Sequence, residues 1–237
     1  GGPASLDKFK KLQAVADIIY NPSRTRLLYD ATKLGIKTAG GLSMLVAQAY
    51  YAQRYFYNEP PKVKEGEEFL IQRIIAQIET QVRNVVLVGM PGSGKTTIGR
   101  MLAEQLGRNF VDTDEEFAKQ EGMSAGVFIE TYGEDAFRDA ESKVIKNFAK
   151  EKSLVISTGG GSILLEKNRD YLRQNSMIIY LKRELCKLAT DGRPLSSDIG
   201  KLEKLYETRQ PLYEELADFC LTVREGDAEM MLGELLE

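Results

Sequence analysis

The nine residues from Gly89 to Thr97 read Gly-Met-Pro-Gly-Ser-Gly-Lys-Thr-Thr, a complete phosphate-binding loop. Such a loop works in one setting only: a buried strand runs into it and a helix starts from it. Both signals are present. Val85-Val86-Leu87-Val88 is a short apolar run, and Thr97 to Leu106 carries the three- and four-residue spacing of an amphipathic helix. The glycines let backbone N–H groups turn inward around a polyphosphate, and the helix N-terminus adds positive potential. Gly89, Gly92, Ser93, Gly94, Lys95, Thr96 and Thr97 are therefore expected to hold a nucleoside triphosphate. Lys95 is expected to reach the β- and γ-phosphates, and Thr96 to ligate Mg²⁺ through its hydroxyl. A glycine-rich turn before a core helix is the alternative, and the register of strand, loop, Lys-Thr and helix argues against it.

Composition narrows the chemistry. The chain of 237 residues contains no histidine, which removes a His general base, a Ser-His triad and a His-ligated zinc. Catalysis must run on carboxylates, Lys, Arg, Tyr, backbone amides and a bound metal. Phosphoryl transfer suits that set, because it consists mostly of positioning and charge neutralisation. The net charge of −3 and the lack of a basic run argue against nucleic acid as a partner. No apolar stretch approaches the roughly 18 residues of a membrane span, so no membrane partner is expected. The two cysteines, Cys186 and Cys220, read as reduced thiols, and a cytoplasmic location is expected. The opening Gly1-Gly2-Pro3-Ala4-Ser5 and the first methionine at Met44 suggest a piece of a longer polypeptide.

Asn58-Glu-Pro-Pro-Lys-Val-Lys-Glu-Gly66 reads as a linker, since paired prolines forbid helix there. The expected organisation is a small, mostly helical segment over 1–58, a linker and amphipathic helix over 59–82, and an α/β domain over 83–237. In the first segment Ala14 to Tyr20 reads as a strand, Pro22 to Leu34 as a turn and helix, and Leu42 to Phe56 as a second helix. Downstream, Val85–Val88, Asn109–Asp112, Leu154–Thr158, Met177–Leu181 and Phe219–Val223 read as five short strands with helices between them. This pattern predicts an open parallel α/β sheet with flanking helices. Ligands of such sheets bind beyond the carboxyl ends of the strands, where the remaining motifs fall.

Asp112-Thr-Asp114 closes the second of these strands, where one carboxylate can hold Mg²⁺-bound water and the other substrate hydroxyls; a solvated acidic turn is the plainer reading. Arg138 and Glu141 lie one helical turn apart and alone read as an ordinary surface pair. Gly159-Gly160-Gly161 follows the third strand, either as a loose turn or as a loop exposing N–H donors. Arg193, in Gly192-Arg-Pro-Leu195, lies in a polar loop that can act as a lid, and Arg209 sits on the helix beyond it. Together, three arginines, two acids and a glycine nest suit a small anionic polyol, with carboxylate to Arg and hydroxyls to Asp.

These motifs, in this order over residues 84–225, resemble shikimate kinase. The resemblance implies an ATP-dependent transfer to the 3-hydroxyl of shikimate. It implies Lys95, Asp114 and Arg193 as catalytic residues, with Asp114 binding the ring hydroxyls. Arg138, Arg209 and the Gly159–Gly161 backbone would hold the substrate, Glu141 would belong to the same set, and Thr96 and Asp112 would serve Mg²⁺. One departure is Cys186, where family members often carry an arginine that packs on adenine; Arg183 or Lys187 can substitute. Another small-metabolite kinase, such as a gluconate kinase, and a non-catalytic nucleotide-binding regulatory or scaffold module are the rival readings.

The first segment resembles the C-terminal end of shikimate dehydrogenase through Asp17-Ile-Ile-Tyr-Asn-Pro22, Thr25-Arg-Leu-Leu28 and Gly41-Leu-Ser-Met-Leu-Val-Ala-Gln48. The resemblance implies a shikimate contact for Gln48 and an origin in a bifunctional dehydrogenase/kinase polypeptide. The dehydrogenase's nucleotide fingerprint has no counterpart, so no dehydrogenase activity is expected. The segment's apolar residues are expected to dock on the kinase-like part or on a second copy of the chain, with self-association as the consequence.

Overall fold

The computed structural model describes residues 5–57, 66–185, 188, 199–223 and 233. They form two compact units that divide between Arg83 and Asn84.

In the first unit, β1 (Ala14–Ala16), α1 (Arg26–Lys33) and β2 (Lys37–Ala39) form a parallel strand–helix–strand unit, with Val15 opposite Thr38. The strand expected over Ala14 to Tyr20 stops at Ala16. The Asp17 carboxylate accepts from Ile19 N at 3.0 Å, which turns the chain, and from Thr25 Oγ1 at 2.7 Å. Thr25 then caps α1 by accepting from Leu28 N at 3.3 Å. The strand β2 carries no apolar alternation and was not foreseen. Its three residues are exposed, and main-chain pairing with β1 alone defines it. Two helices complete the unit, α2 (Gly41–Phe56) and α3 (Glu67–Val82). They pack through Leu42 and Val46 against Ile71 and Ile75.

The second unit alternates as the sequence predicts. Its elements are β3 (Asn84–Val88), α4 (Lys95–Leu106), β4 (Asn109–Asp112), α5 (Thr113–Glu121), α6 (Ala125–Tyr132), α7 (Glu134–Phe148), β5 (Leu154–Ser157), a 3₁₀ turn (Ser162–Leu164), α8 (Glu166–Gln174), β6 (Ser176–Lys182), α9 (Ile199–Leu216) and β7 (Phe219–Thr222). The five strands lie in the order β4-β5-β3-β6-β7, all parallel. Side chains alternate across the central strands, because successive Cβ atoms point to opposite faces. Val85 and Leu87 meet Ile98 and Leu102 of α4 on one face. Val86 and Val88 meet Ile145 of α7, Leu172 of α8 and Tyr213 of α9 on the other. Both faces are therefore covered, which is why the strands carry near-continuous apolar runs.

The strand order determines where a ligand can sit. From β3 the chain crosses β5 to reach β4 and then returns to β5. From β5 it leaves in the opposite sense to β6. Connections thus diverge at the carboxyl ends of β3 and β5, opening a crevice between the loops that follow them.

Beside the sheet, α5, α6 and α7 close a smaller core of their own. Phe117 is 2% exposed and meets Phe128 and Phe137 edge-on, at ring-centroid distances of 5.3 and 5.0 Å. We expect Phe117→Ala to destabilise this unit by about 3–5 kcal/mol, the usual cost of emptying a buried aromatic site. Denaturant unfolding checks it; a loss under about 1 kcal/mol would mean the three helices hold together without the ring.

Candidate active site

A cleft of about 280 Å³ opens where the strand order diverges. Gly92, Gly94, Lys95, Thr96 and Thr97 line one side, with Asp112, Asp114, Ser157, Thr158, Gly160 and Arg183 around the rest. The phosphate loop leaves β3 and closes with Gly94 at φ +90°, a left-handed conformation that a side chain would strain. There the loop passes directly into α4, whose first residue is Lys95. Lys95 Nζ is buried and donates to the carbonyls of Gly89 at 2.9 Å and Met90 at 2.8 Å. Its ammonium is thus held inside the loop. Ser93 Oγ is buried in the same loop and has no hydrogen-bond partner among the described residues. A cradle with an inward cation and an unsatisfied hydroxyl fits phosphate oxygens.

Asp112 ties this cradle to the next element with both carboxylate oxygens. Oδ2 accepts from Thr96 Oγ1 at 2.8 Å, and Oδ1 accepts from Asp114 N at 3.0 Å, capping α5. The cap starts the helix on which Asp114 sits, so one residue places both ends of the cleft. The hydroxyl–carboxylate pair is a hard oxygen set of the kind that suits Mg²⁺, which takes few protein ligands and completes its shell with phosphate and water.

Opposite the phosphate loop, the Thr158-Gly-Gly-Gly161 loop leaves β5. Thr158 donates through both N and Oγ1 to Leu87 O, at 3.2 and 3.1 Å, which pins the start of the loop to β3. Gly159 N donates to Thr113 Oγ1 at 3.1 Å. The glycines here are required by close approach. A methyl group on Gly159 would lie 2.5 Å from Asp114 Oδ1 and 3.3 Å from Glu141 Oε1. One on Gly161 would lie 3.0 Å from both terminal nitrogens of Arg138. Asp114, Glu141 and Arg138 therefore converge on the glycine loop.

Arg138 and Glu141 form a pair, with Nη1 donating to Oε2 at 2.9 Å. This is more than a surface ion pair. Glu141 is buried, and its Oε1 accepts from Ser162 Oγ at 2.7 Å. Glu134 takes the other arm of the guanidinium at 3.2 Å. The arginine fork is thus held against the glycine loop by two carboxylates.

Arg209 and Tyr213 come from α9. Arg209 is buried although it is an arginine on a helix, and its guanidinium lies beside Tyr213. Burial pushes the Tyr213 phenol up to about 12, with Arg209 partly opposing the rise. The phenol is therefore a donor at any physiological pH, and it donates to Gly160 O at 2.6 Å.

Of the expected ATP-binding residues, Gly92, Gly94, Lys95, Thr96 and Thr97 line the cleft with Asp112, Asp114 and Gly160, whereas Gly89 and Ser93 belong to the same loop but not to the lining. Arg138 and Glu141 stand against the glycine loop, and Arg209 is linked to it through Tyr213. Arg193, Cys186 and Lys187 lie outside the described residues. Of the adenine candidates only Arg183 is described; it donates to Gly92 O at 3.1 Å and lines the cleft. Sequence reasoning missed Thr113, Ser162, Glu134 and Tyr213 as supports of the site. Each stands within or directly beside a stretch that the sequence singles out, but residue type and spacing give no sign that these side chains brace it. Gln48, in the first unit, is exposed on α2.

The shikimate kinase family profile matches residues 91–237. The chain belongs to the shikimate kinase family. Similar relatives include the shikimate kinase of Burkholderia lata, 41% identical over 146 residues, covering 58% of this chain and 79% of that protein. The shikimate kinase of Haemophilus influenzae is 37% identical over 164 residues, covering 65% and 91%. Among solved structures, Acinetobacter baumannii shikimate kinase in complex with shikimate matches with a TM-score of 0.63 at 34% identity, over 68% of this chain and 94% of that one. The enzyme from Aquifex aeolicus matches with a TM-score of 0.57 at 30% identity, over 65% and 94%. Residues before Pro91 lie outside the profile match.

The crowding at Gly159 gives a direct test. Gly159→Ala should displace Asp114 and lower kcat/KM for the phosphoryl acceptor by roughly 10- to 100-fold, the usual scale for small misplacements of a reacting group. MgADP affinity by calorimetry should stay within about two-fold. Unchanged turnover would show that the loop does not set the position of Asp114.

Proposed function

We propose that the chain transfers the γ-phosphoryl group of ATP to the 3-hydroxyl of shikimate, giving 3-phosphoshikimate and ADP. The observation that carries this reading is the meeting of two half-sites at one strand divergence: a phosphate loop with its inward lysine, and an Asp–Arg–Gly loop cluster suited to a hydroxylated carboxylate. Family membership supports it.

In this reading Lys95 leaves the loop carbonyls for the β- and γ-phosphates and neutralises charge on the transferred group. Thr96 and Asp112 would hold Mg²⁺, which when bound offsets phosphate charge and orients the polyphosphate. Asp114 accepts a hydrogen bond from the attacking hydroxyl and aims its oxygen. Arg138 and Arg209 bind the substrate carboxylate, with N–H groups of the glycine loop beside them. Arg193 is assigned to the developing phosphoryl charge. Arg183 is assigned to the nucleotide side, in place of the arginine that Cys186 replaces.

For the first unit, we propose the tail of a shikimate dehydrogenase-like domain without hydride-transfer activity. Its support is the parallel strand–helix–strand unit tied by Asp17 and Thr25. Exposed Ile18, Ile19, Tyr20, Met44 and Leu45 support self-association through it.

ADP release against a panel of shikimate, quinate, gluconate and dehydroshikimate tests the main reading. Shikimate should stimulate release far more than gluconate; equal stimulation by the two would sink the assignment. A second test concerns Arg138. Arg138→Ala removes a charge-assisted bond worth roughly 1.5–3 kcal/mol. Shikimate affinity by calorimetry should fall about 10- to 100-fold while ADP affinity holds. Unchanged shikimate affinity would remove Arg138 from the site.

A further inference from the structure

The Gly160–Gly161 peptide is held by a side chain from another element. Tyr213 Oη donates to Gly160 O at 2.6 Å. The tyrosine is fully buried and stacks on Tyr180, with ring centroids 5.0 Å apart and planes 21° apart, so its hydroxyl has a fixed origin. On its other side Gly160 abuts the phosphate loop, since a methyl group there would lie 2.8 Å from Pro91 Cδ. The peptide is therefore clamped between α9 and the loop that holds nucleotide.

The consequence follows from peptide geometry. The only cis peptide among the described residues is Asn21–Pro22, so the Gly160–Gly161 bond is trans and its C=O and N–H point to opposite sides. With Gly160 O turned to Tyr213, the Gly161 N–H turns away from the tyrosine, and Gly160 itself lines the cleft. Gly161 itself packs against the Arg138 guanidinium. No described residue accepts a hydrogen bond from its N–H. Two glycines in sequence have little intrinsic preference for one peptide orientation over the flipped one. Local turn bonds hold the chain on either side, with Ser162 N donating to Gly159 O and Leu164 N to Gly161 O, while the bond to the Gly160 carbonyl comes from the tyrosine hydroxyl.

We propose that Tyr213 is a positioning residue for substrate binding: its hydroxyl locks the Gly160–Gly161 peptide so that the Gly161 N–H stands beside Arg138 as a second donor to the substrate carboxylate. This deepens the shikimate kinase reading and rests on it. The same hydroxyl sits beside Arg209, so one buried phenol joins the glycine loop to the other carboxylate-binding arginine.

The test compares Tyr213→Phe with Tyr180→Phe in the full chain. Both keep the stacked rings and delete one buried hydroxyl. The Tyr180 hydroxyl has no hydrogen-bond partner among the described residues. Tyr213→Phe should raise KM for shikimate about tenfold, the scale of one lost buried hydrogen bond, with KM for ATP and kcat within about three-fold. Tyr180→Phe should leave both KM values within about two-fold. Placing 4-aminophenylalanine at position 213, which keeps a para donor, should restore most of the shikimate KM and serves if the phenylalanine variant does not fold. An unchanged shikimate KM in Tyr213→Phe overturns the proposal. So does an equal rise in both Phe variants, which would mark general loosening of the core, and so does failure of the amino analogue to restore KM. If the parent chain does not turn over shikimate at all, it is the kinase reading that fails.

Discussion

β3 and β5 pair in parallel, with Val85 opposite Val155, Val86 opposite Ile156 and Leu87 opposite Ser157. That register brings together two loops separated by nearly 70 positions in the chain. Thr158 then donates twice to Leu87 O, extending the contact past the end of the ladder. A slip of one residue would turn every side chain on β5 to the other face and carry the glycine loop with it. Continuous burial on both faces makes such a slip expensive. The distance between the phosphate loop and the glycine loop is thus set by the best-packed part of the molecule, while the loops remain free to meet ligand.

Around this frame the site is built by side chains that serve two elements at once. Asp112 accepts from the first turn of α4 and caps α5. Glu141 holds Arg138 with one oxygen and Ser162 with the other. Tyr213 reaches from α9 to the glycine loop. Each of these groups is buried and paired, so removing one partner would leave the other without compensation, at a cost of about 1–3 kcal/mol or more for a charge. Such a network holds the side chains around the cleft at fixed angles without requiring the loops to be rigid in themselves. It also explains how a chain without histidine can carry out phosphoryl transfer, a reaction that asks for placed charge more than for a titrating base.

The small core of Phe117, Phe128 and Phe137 belongs to the same logic. Asp114 lies on α5, and Arg138 and Glu141 lie on α7. The three phenylalanines hold α5, α6 and α7 together, so Asp114, Arg138 and Glu141 have a support separate from the sheet. The phosphate loop is carried by β3 and α4.

Much was legible in the sequence because it depends on local chemistry. The phosphate loop, the five strands of the second unit and the order of the motifs follow from residue type and spacing, since a buried parallel strand must be apolar and a polyphosphate needs glycines before a helix. The strand over Asn109–Asp112 was readable to the residue, because Asp112 ends it by capping the next helix. Other features depend on groups far apart in the chain. The pairing of the three exposed residues of β2 with β1, the early end of β1 at Asp17, and the contacts of Arg183 with Gly92 and Tyr213 with Gly160 leave no periodic trace. The Arg138–Glu141 pair was visible as spacing, but its burial against Ser162 and the glycine loop was not. Sequence by itself determined that this chain would bind a polyphosphate on a parallel α/β sheet. Only the tertiary structure decided which carboxylates and arginines gather beside the phosphate loop, because strand order brings together residues whose separation along the chain carries no information about their meeting.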